Sequence, residues 1–372
     1  MRLALRELRR RPGRFGVATA ILTLIAVLLT FLGGLLDGLE AGSTGAYRAQ
    51  QGDLIVFADG AQTSLVRSRI EPEVRAQVED AVPDGAVGGL GSAQLGGRLE
   101  GRGPRDLVGT VVFGYELAPR GLPDEPPGPG EVYADDSLRS EGVEEGTVIQ
   151  LGPARTELTV VGFTSDAKYS GQGTLWGSVD TWRQVLGENR PSAAVGEGTV
   201  QALVVAVPDG ADPADVAEAI DEATGGATET LTIAEAIDAL PGLAQQRQTF
   251  SQIIGVTVLI AIVVVALFFA LITVERTALY GVLKALGARS ATLFGGVLLQ
   301  AVLVTLVALA IGVGAALLLD AVIPAGSLPF AVTSGRLLSS AAALLFAAAV
   351  GAAFSLRRVL RVDPASAIGG GA

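Results

Sequence analysis

Four long stretches without a charged residue interrupt an otherwise polar chain of 372 residues. They cover residues 15–36, 248–274, 290–319 and 337–356. A helix needs about 20 apolar residues to cross the roughly 30 Å hydrocarbon core of a bilayer, so each stretch is long enough to span it. The first stretch exceeds the roughly 7 to 15 apolar residues of a signal peptide, and we therefore expect a retained membrane anchor.

A mixed pattern of short elements lies between the first and second stretches. Strands are predicted where β-branched runs end at Gly, Pro or Asp: DLIVF, LVGTVVFGYE, GTVIQLG, ELTVVGFT, GTLWGSV and TVQALVVAV. Helical spacing predicts helices over EPEVRAQVEDAV, DPADVAEAIDEAT and TIAEAIDAL. Asp212 is the expected cap of the second helix, and Thr232 with Glu235 has capping-box spacing in the third. This region therefore predicts an α+β domain.

Basic residues are concentrated next to the predicted spans. Residues 1–14 hold six arginines and one glutamate, and residues 275–289 and 357–372 each hold three basic residues against one acidic residue. Residues 38–250 instead hold 14 basic and 33 acidic residues. Because Lys and Arg close to span ends are retained in the cytoplasm, we expect both termini and residues 275–289 inside, and the acidic region outside.

The predicted fold is therefore an α-helical membrane protein with four transmembrane helices and an α+β extracytoplasmic domain inserted between helices 1 and 2. We expect it in the cell membrane, as a multi-pass protein. Its predicted organisation is a cytoplasmic segment 1–14, transmembrane helix 15–37, extracytoplasmic domain 38–249, transmembrane helix 250–274, cytoplasmic helix 275–289, transmembrane helix 290–319, extracytoplasmic loop 320–336, transmembrane helix 337–356 and cytoplasmic tail 357–372.

Composition excludes most enzyme chemistry. The chain has no His and no Cys, which removes imidazole bases, thiolate nucleophiles and the usual soft metal ligands. It also has no Gly-x-x-x-x-Gly-Lys-Ser/Thr phosphate loop and no Gly-x-Ser-x-Gly elbow. We expect no catalytic residue, no metal site, no cofactor and no nucleic-acid partner, and a membrane-anchored hydrolase is the weakest interpretation.

A short charged segment, VERTALYGVLKALGARS, separates the second and third apolar stretches. On a helix, Leu279, Val282, Leu283 and Leu286 form one apolar stripe, while Arg276, Tyr280 and Lys284 form a polar row. Gly287 stands where a C-cap glycine would end the helix. Two interpretations stay open: the stripe rests in the lipid interface, or it docks into a groove of a cytoplasmic partner.

Several stretches resemble a known family. The segment ERTALYGVLKALGARSATLFGGVLLQAVLVTLVALAIGVGAALLL and the tail RRVLRVDPASAIGG are similar to the MacB/FtsX class of ABC transporter permeases. The beginning MRLALRELRRRPGRFGVATAILTLIAVLLTFLGGLLDGL and the stretch GFTSDAKYSGQGTLW resemble the DevC/HrtB branch more narrowly. The extracytoplasmic domain is accordingly identified as a MacB-like core.

The resemblance implies a half-transporter without its own ATPase. Two copies of the chain would assemble with two cytoplasmic ABC ATPase subunits, and helix 275–287 would be the coupling helix. The expected ATPase-coupling residues are Arg276, Leu279, Val282, Leu283, Lys284, Leu286, Gly287 and Arg289. The expected substrate is a lipophilic or amphiphilic molecule expelled from the membrane. Haem is the best-known cargo of the branch, but Met1 is the only methionine, so haem ligation would need Tyr or carboxylate.

Small residues recur at the end of the first span. Gly34, Gly38 and Gly42 are spaced four apart, which would let a second helix, such as that of another copy, approach closely. The alternative is that they face lipid without a specific role, because glycine is common in membrane helices. Asp37 lies within this ladder and would either be close to the substrate or reach the headgroup water.

The same resemblance leaves a second function open. The chain would then be an FtsX-like mechanotransmission subunit that controls an extracytoplasmic cell-wall enzyme. FtsX proper has a much smaller outside domain, which favours efflux, and this preference rests on analogy.

The coupling hypothesis predicts the behaviour of Leu283→Asp. A carboxylate in the apolar stripe should leave membrane insertion intact and abolish copurification of the ATPase, because charge is not tolerated in an apolar groove. A pull-down of the ATPase with membrane-inserted chain measures this. Recovery of a fully active ATPase with the variant would contradict the coupling assignment.

Overall fold

The computed structural model describes residues 12–103, 105–275, 282, 286, 290–322 and 328–360. The chain divides into two compact units. The membrane unit comprises Met1–Gly38, Arg247–Ile323 and Phe330–Ala372, and the α+β unit comprises Leu39–Gln246 and Pro324–Pro329.

The described elements follow one another in a clear order. The helices are α1 (Pro12–Arg48), α2 (Pro72–Ala81), α3 (Val179–Asn189), α4 (Pro213–Ala223), α5 (Ile233–Asp238), α6 (Leu243–Glu275), α7 (Ser290–Val322) and α8 (Ser334–Leu360). The strands are β1 (Leu54–Ala58), β2 (Ala86–Leu99), β3 (Val108–Tyr115), β4 (Glu131–Asp135), β5 (Val148–Leu151), β6 (Thr156–Thr164), β7 (Gly173–Ser178), β8 (Ala202–Ala206) and β9 (Thr228–Thr232).

Four of these helices are long and apolar enough to cross a membrane: α1, α6, α7 and α8. Helix α1 has 37 residues, which at 1.5 Å per residue gives about 55 Å, well beyond the roughly 30 Å of a hydrocarbon core. The predicted first span ends at residue 37, where the apolar pattern stops, whereas the helix itself continues to Arg48.

Small residues set the helix spacing inside the membrane unit. A Cβ at Gly312 on α7 would lie 2.7 Å from the Cβ of Ala26 on α1, and one at Gly351 on α8 would lie 2.8 Å from the backbone oxygen of Ile262 on α6. The absence of a side chain at these positions lets the helices approach closely, as small residues do in membrane bundles.

Large apolar side chains point away from this unit. Leu24 is 71% exposed, Leu259 59% and Leu318 66%. Lipid tails accept such surfaces without the cost that water imposes, so the exposed leucines fit helices surrounded by a bilayer.

The α+β unit is built on one sheet, in the order β3-β7-β4-β6-β5-β2-β8-β1-β9 with a further β2–β3 pairing. That pairing closes a ring of six strands, from β2 through β3, β7, β4, β6 and β5 back to β2. The β3–β7 and β4–β6 pairs are parallel and the other pairs are antiparallel.

Strand β2 holds this sheet together and has no strand-like sequence. Its 14 residues pair with β8, β3 and β5 in succession, but the sequence AVGGLGSAQLGGRL is rich in glycine, which is depleted in strands. The glycines make room for neighbours: a Cβ at Gly91 would overlap the indole of Trp182. The sequence pattern did not predict β2, because its glycines fit the packing of neighbouring residues and have a low strand propensity.

The predicted strands and helices of the α+β unit are present in the structure, together with elements that were not predicted. Six predicted strands and three predicted helices are present, and the capping box of Thr232 and Glu235 and the Asp212 cap are confirmed. The sequence reasoning did not identify β4, β9 or α3. Both β4 and β9 are only five residues long and carry acidic residues, so their pattern gave little apolar signal.

The core of the α+β unit contains both tryptophans of the chain. Trp176 stacks on Phe113 with ring centroids 4.6 Å apart, and its indole N–H donates to the Thr174 hydroxyl at 2.7 Å. Trp182 is fully buried and lies against Gly91 and Gly114. Tryptophan fluorescence therefore reports on this unit.

We predict opposite effects for two glycine-to-alanine changes. Gly91→Ala should destabilise the α+β unit by about 1–3 kcal/mol, because the new methyl overlaps Trp182 in a packed core. Gly187→Ala is the control. Gly187 lies in α3, where an added Cβ would be 3.9 Å from the nearest atom, so the change should stabilise the α+β unit by up to about 1 kcal/mol. Thermal unfolding of the detergent-solubilised chain, followed by tryptophan fluorescence, measures both. Equal midpoints for Gly91→Ala and the unmodified chain would contradict the packing assigned to β2.

Candidate functional site

Only two of the eight expected coupling residues belong to the described part of the chain. The Leu286 N–H donates to the Val282 oxygen at 3.0 Å, the i to i−4 hydrogen bond of an α-helical turn. Val282 is 51% exposed and Leu286 80% exposed. Two exposed apolar side chains one turn apart fit either open interpretation of the stripe. The other expected coupling residues lie outside the described residues: Arg276, Leu279, Leu283, Lys284, Gly287 and Arg289.

The membrane unit has a tight contact around Gly34, one of the residues expected at a dimer or substrate contact. The Ala331 N–H donates to the Gly34 oxygen at 3.0 Å, and the Phe330 ring stacks on Phe31 with centroids 5.6 Å apart. A Cβ at Gly34 would lie 2.5 Å from the Phe330 ring. The space at Gly34 is therefore occupied by a residue of the same chain, while Gly38 is buried on α1.

Asp37 binds two residues at the start of α8. The Arg336 guanidinium donates to Asp37 Oδ1 from Nε at 3.0 Å and from Nη2 at 2.5 Å. The Thr333 hydroxyl donates to Asp37 Oδ2 at 2.6 Å. Both carboxylate oxygens thus accept hydrogen bonds from groups within the chain, and the Asp37 side chain is only 14% exposed.

Thr333 connects this network to the helix that follows. Its hydroxyl oxygen accepts a hydrogen bond from the Arg336 N–H at 3.2 Å, as an N-cap residue does. Asp37 is therefore placed at a helix N-terminus, where the helix dipole favours negative charge. Gly33 makes room for the network, because a Cβ there would overlap the Arg336 side chain.

The sequence reasoning identified Asp37 but missed Thr333 and Arg336. A signal existed, since Arg336 is the only charged residue between Asp320 and Arg357, and its charge is opposite to that of Asp37. Nothing in the sequence shows that the two residues meet across 299 positions.

In the α+β unit, the end of α1 is bound by the loop between β6 and β7. The Gly171 N–H donates to the Gly42 oxygen at 3.0 Å, and the Ala46 N–H donates to the Lys168 oxygen at 3.0 Å. A Cβ at Gly45 would lie 2.5 Å from the Asp166 oxygen, so glycine permits this approach. We call residues 166–171 together with residues 42–46 the clasp.

Aromatic rings stabilise the clasp from within the unit. Tyr169 makes edge-on contacts with Tyr47 at 5.6 Å and with Phe113 at 5.3 Å between ring centroids. Burial raises the pKa of the Tyr169 hydroxyl, and burial raises the pKa of Tyr115 to about 12, so both phenols are neutral at physiological pH. The Tyr115 hydroxyl donates to the Pro123 oxygen at 3.2 Å.

Acidic side chains are the candidate metal ligands in the part of the chain that the structure describes. The described residues contain no group of three or more Asp or Glu side chains placed to hold a metal ion, and the sequence has no His or Cys.

Four apolar helices with an α+β domain between the first two define a multi-pass membrane protein. Residues 15–223 match the family model of the MacB-like periplasmic core domain, and residues 252–364 match that of the FtsX-like permease C-terminal domain. The chain therefore belongs to the MacB/FtsX-type ABC permease family, which confirms the resemblance found in the sequence.

Similar proteins include HrtB from two staphylococci, which are named as hemin transport system permease proteins. The chain is 35% identical over 119 residues to that of Staphylococcus haemolyticus and 30% identical over 120 residues to that of Staphylococcus epidermidis strain RP62A. These alignments cover 32% of this chain and 33% and 34% of the two relatives, so the chain spans about a third of their length.

Among solved structures, the periplasmic region of MacB from Actinobacillus actinomycetemcomitans is similar. It is 12% identical to this chain, and the match covers 50% of this chain and 92% of the MacB chain with a TM-score of 0.35.

The clasp predicts different effects for two glycines of α1. Gly45→Val should displace the loop, because its side chain would meet backbone atoms of Asp166 and Lys168, and the Lys168–Tyr169 bond should become a faster substrate for a lysine-specific protease. Gly42→Ala is the control, since its nearest neighbour would be 4.0 Å away. Limited proteolysis of the full chain measures both rates. Equal cleavage of the two variants would contradict the assigned contact.

Proposed function

We propose that the chain is the permease subunit of an ABC transporter that couples ATP hydrolysis by a cytoplasmic partner to efflux of a lipophilic or amphiphilic molecule from the membrane. The observation that carries this proposal is the presence, in one chain and in this order, of a MacB-like core and an FtsX-like permease domain. Homodimerisation and two ATPase copies are part of the proposal, because four spans are few for enclosing a pathway.

The proposed orientation has both termini and the segment between α6 and α7 in the cytoplasm. The distribution of Lys and Arg supports it, since the acidic α+β unit carries the opposite balance. The four spans of the proposal lie within α1, α6, α7 and α8.

Energy would enter through the segment between α6 and α7. Val282 and Leu286 are exposed one helical turn apart, which suits contact with a groove of the ATPase. Helices α6 and α7 flank this segment and have 33 residues each, so a displacement there would move two complete spans.

A broad lipophilic cargo fits the chain better than haem alone. The relatives are named for hemin, but this chain has neither His nor Cys. Tyrosine can ligate haem iron, but burial raises the pKa of the Tyr115 and Tyr169 hydroxyls, which disfavours these two side chains as tyrosinate ligands.

Coexpression of the chain with the ATPase encoded beside it, followed by reconstitution into liposomes, tests the proposal. We expect lipophilic compounds from a panel that includes haem to stimulate ATP hydrolysis, and we expect the Leu283→Asp chain to give no stimulation. Hydrolysis that no compound stimulates, together with copurification of a cell-wall hydrolase, would instead support the FtsX-like mechanotransmission function.

A further inference from the structure

We propose that Asp37, Thr333 and Arg336 form a latch that holds the end of the first span against the start of the fourth, and that this latch opens during the transport cycle. Its existence rests on the geometry of the membrane unit, whereas its role in releasing a cargo rests on the proposed function.

The latch joins elements that are far apart in the sequence. Residues 329–333 are not helical and lead into α8, which itself packs along α7. The backbone bond from Ala331 to Gly34 and the ring stack of Phe330 on Phe31 attach this segment to α1. The ion pair of Arg336 with Asp37 attaches the first turn of α8 that follows it. A non-helical segment can detach without unwinding a span, so the contact is suited to reversible opening.

Electrostatics makes the closed state well defined. The Asp37 and Arg336 side chains are 14% and 25% exposed, so water screens their attraction only partly. Asp37 follows directly on an uncharged stretch, where an unpaired carboxylate is costly. Loss of the Arg336 partner would leave the Asp37 charge uncompensated. The ion pair therefore favours the closed contact over partly separated arrangements.

Gly33 and Gly34, beside the ion pair, leave the space that the closed contact occupies. Side chains at Gly33 and Gly34 would overlap Arg336 and Phe330, so a larger residue at either position would have to displace the side chains that make the contact. When the segment detaches, the same two glycines leave that part of α1 without side chains.

The absence of cysteine from the chain makes the latch directly testable. The variant Phe31→Cys with Phe330→Cys replaces the ring stack, whose centroids lie 5.6 Å apart, with a thiol on each side of the contact, and keeps the ion pair and the backbone bond. A short, reducible bis-methanethiosulfonate reagent then reports closure as crosslinked chain, in liposomes that contain the chain and its ATPase. We expect a high yield without nucleotide and a lower yield during ATP turnover.

Substitutions at the ion pair test its role in the same cysteine background. Asp37→Asn should lower the yield without nucleotide by about five-fold or more, the ratio that about 1 kcal/mol carries. Thr333→Val is a second variant, which removes one hydrogen bond to Asp37 and the cap bond from the Arg336 N–H but keeps the ion pair, and should give a smaller decrease. Asp180→Asn is the control, because it breaks an ion pair with Arg183 in the α+β unit in which Asp180 is 86% exposed.

Locking the contact tests its function. The crosslinked chain should still copurify with the ATPase but lose haem export, and reduction of the crosslink should restore export. An unchanged yield in Asp37→Asn, or export by the crosslinked chain at the rate of the reduced chain, would overturn the latch. If no form exports haem, haem is not a cargo of this chain, and the crosslinking yields still decide whether the latch exists.

Discussion

The need to satisfy every backbone N–H and C=O group inside hydrocarbon governs the architecture of this protein. An α-helix meets that need within one segment, and α1, α6, α7 and α8 are accordingly uninterrupted over 27 to 37 residues. Since lipid tails are as apolar as leucine, burial of apolar surface does not drive these helices together. Close packing has to do so, which explains why glycine and alanine lie at the contacts of α1 with α7 and of α6 with α8.

Glycine also organises the α+β unit, for a different reason. In water the apolar side chains already favour burial, and the difficulty is to fit two indoles, several phenyl rings and nine strands into closely packed clusters. The long strand β2 solves it by omitting side chains where Trp182 lies across the sheet. One residue type thus serves two packing problems, with lipid outside one unit and water outside the other.

Polar contacts occur where these helices meet non-helical segments or the first turn of another helix. In the membrane unit, Asp37 accepts hydrogen bonds from Thr333 and Arg336. In the α+β unit, the loop of residues 166–171 binds backbone groups of α1 within the clasp. The glycines that the sequence suggested as a ladder for a second helix have different surroundings. Gly34 accommodates Phe330 of its own chain, and Gly42 accepts a hydrogen bond from Gly171. Their role in a dimer stays a prediction.

The sequence by itself determined the four apolar helices, the position of the α+β domain between the first two, and the capping of short helices such as α5, because hydrophobic length and caps are local properties. Only the tertiary structure decided that β2 is a strand and that Asp37 pairs with Arg336. In both cases the deciding contact comes from residues distant in the chain: Trp182 fills the space above Gly91, and Arg336 lies 299 positions from Asp37. Local pattern carries no record of such partners, since periodicity describes the face that a residue occupies and not the residue that covers it.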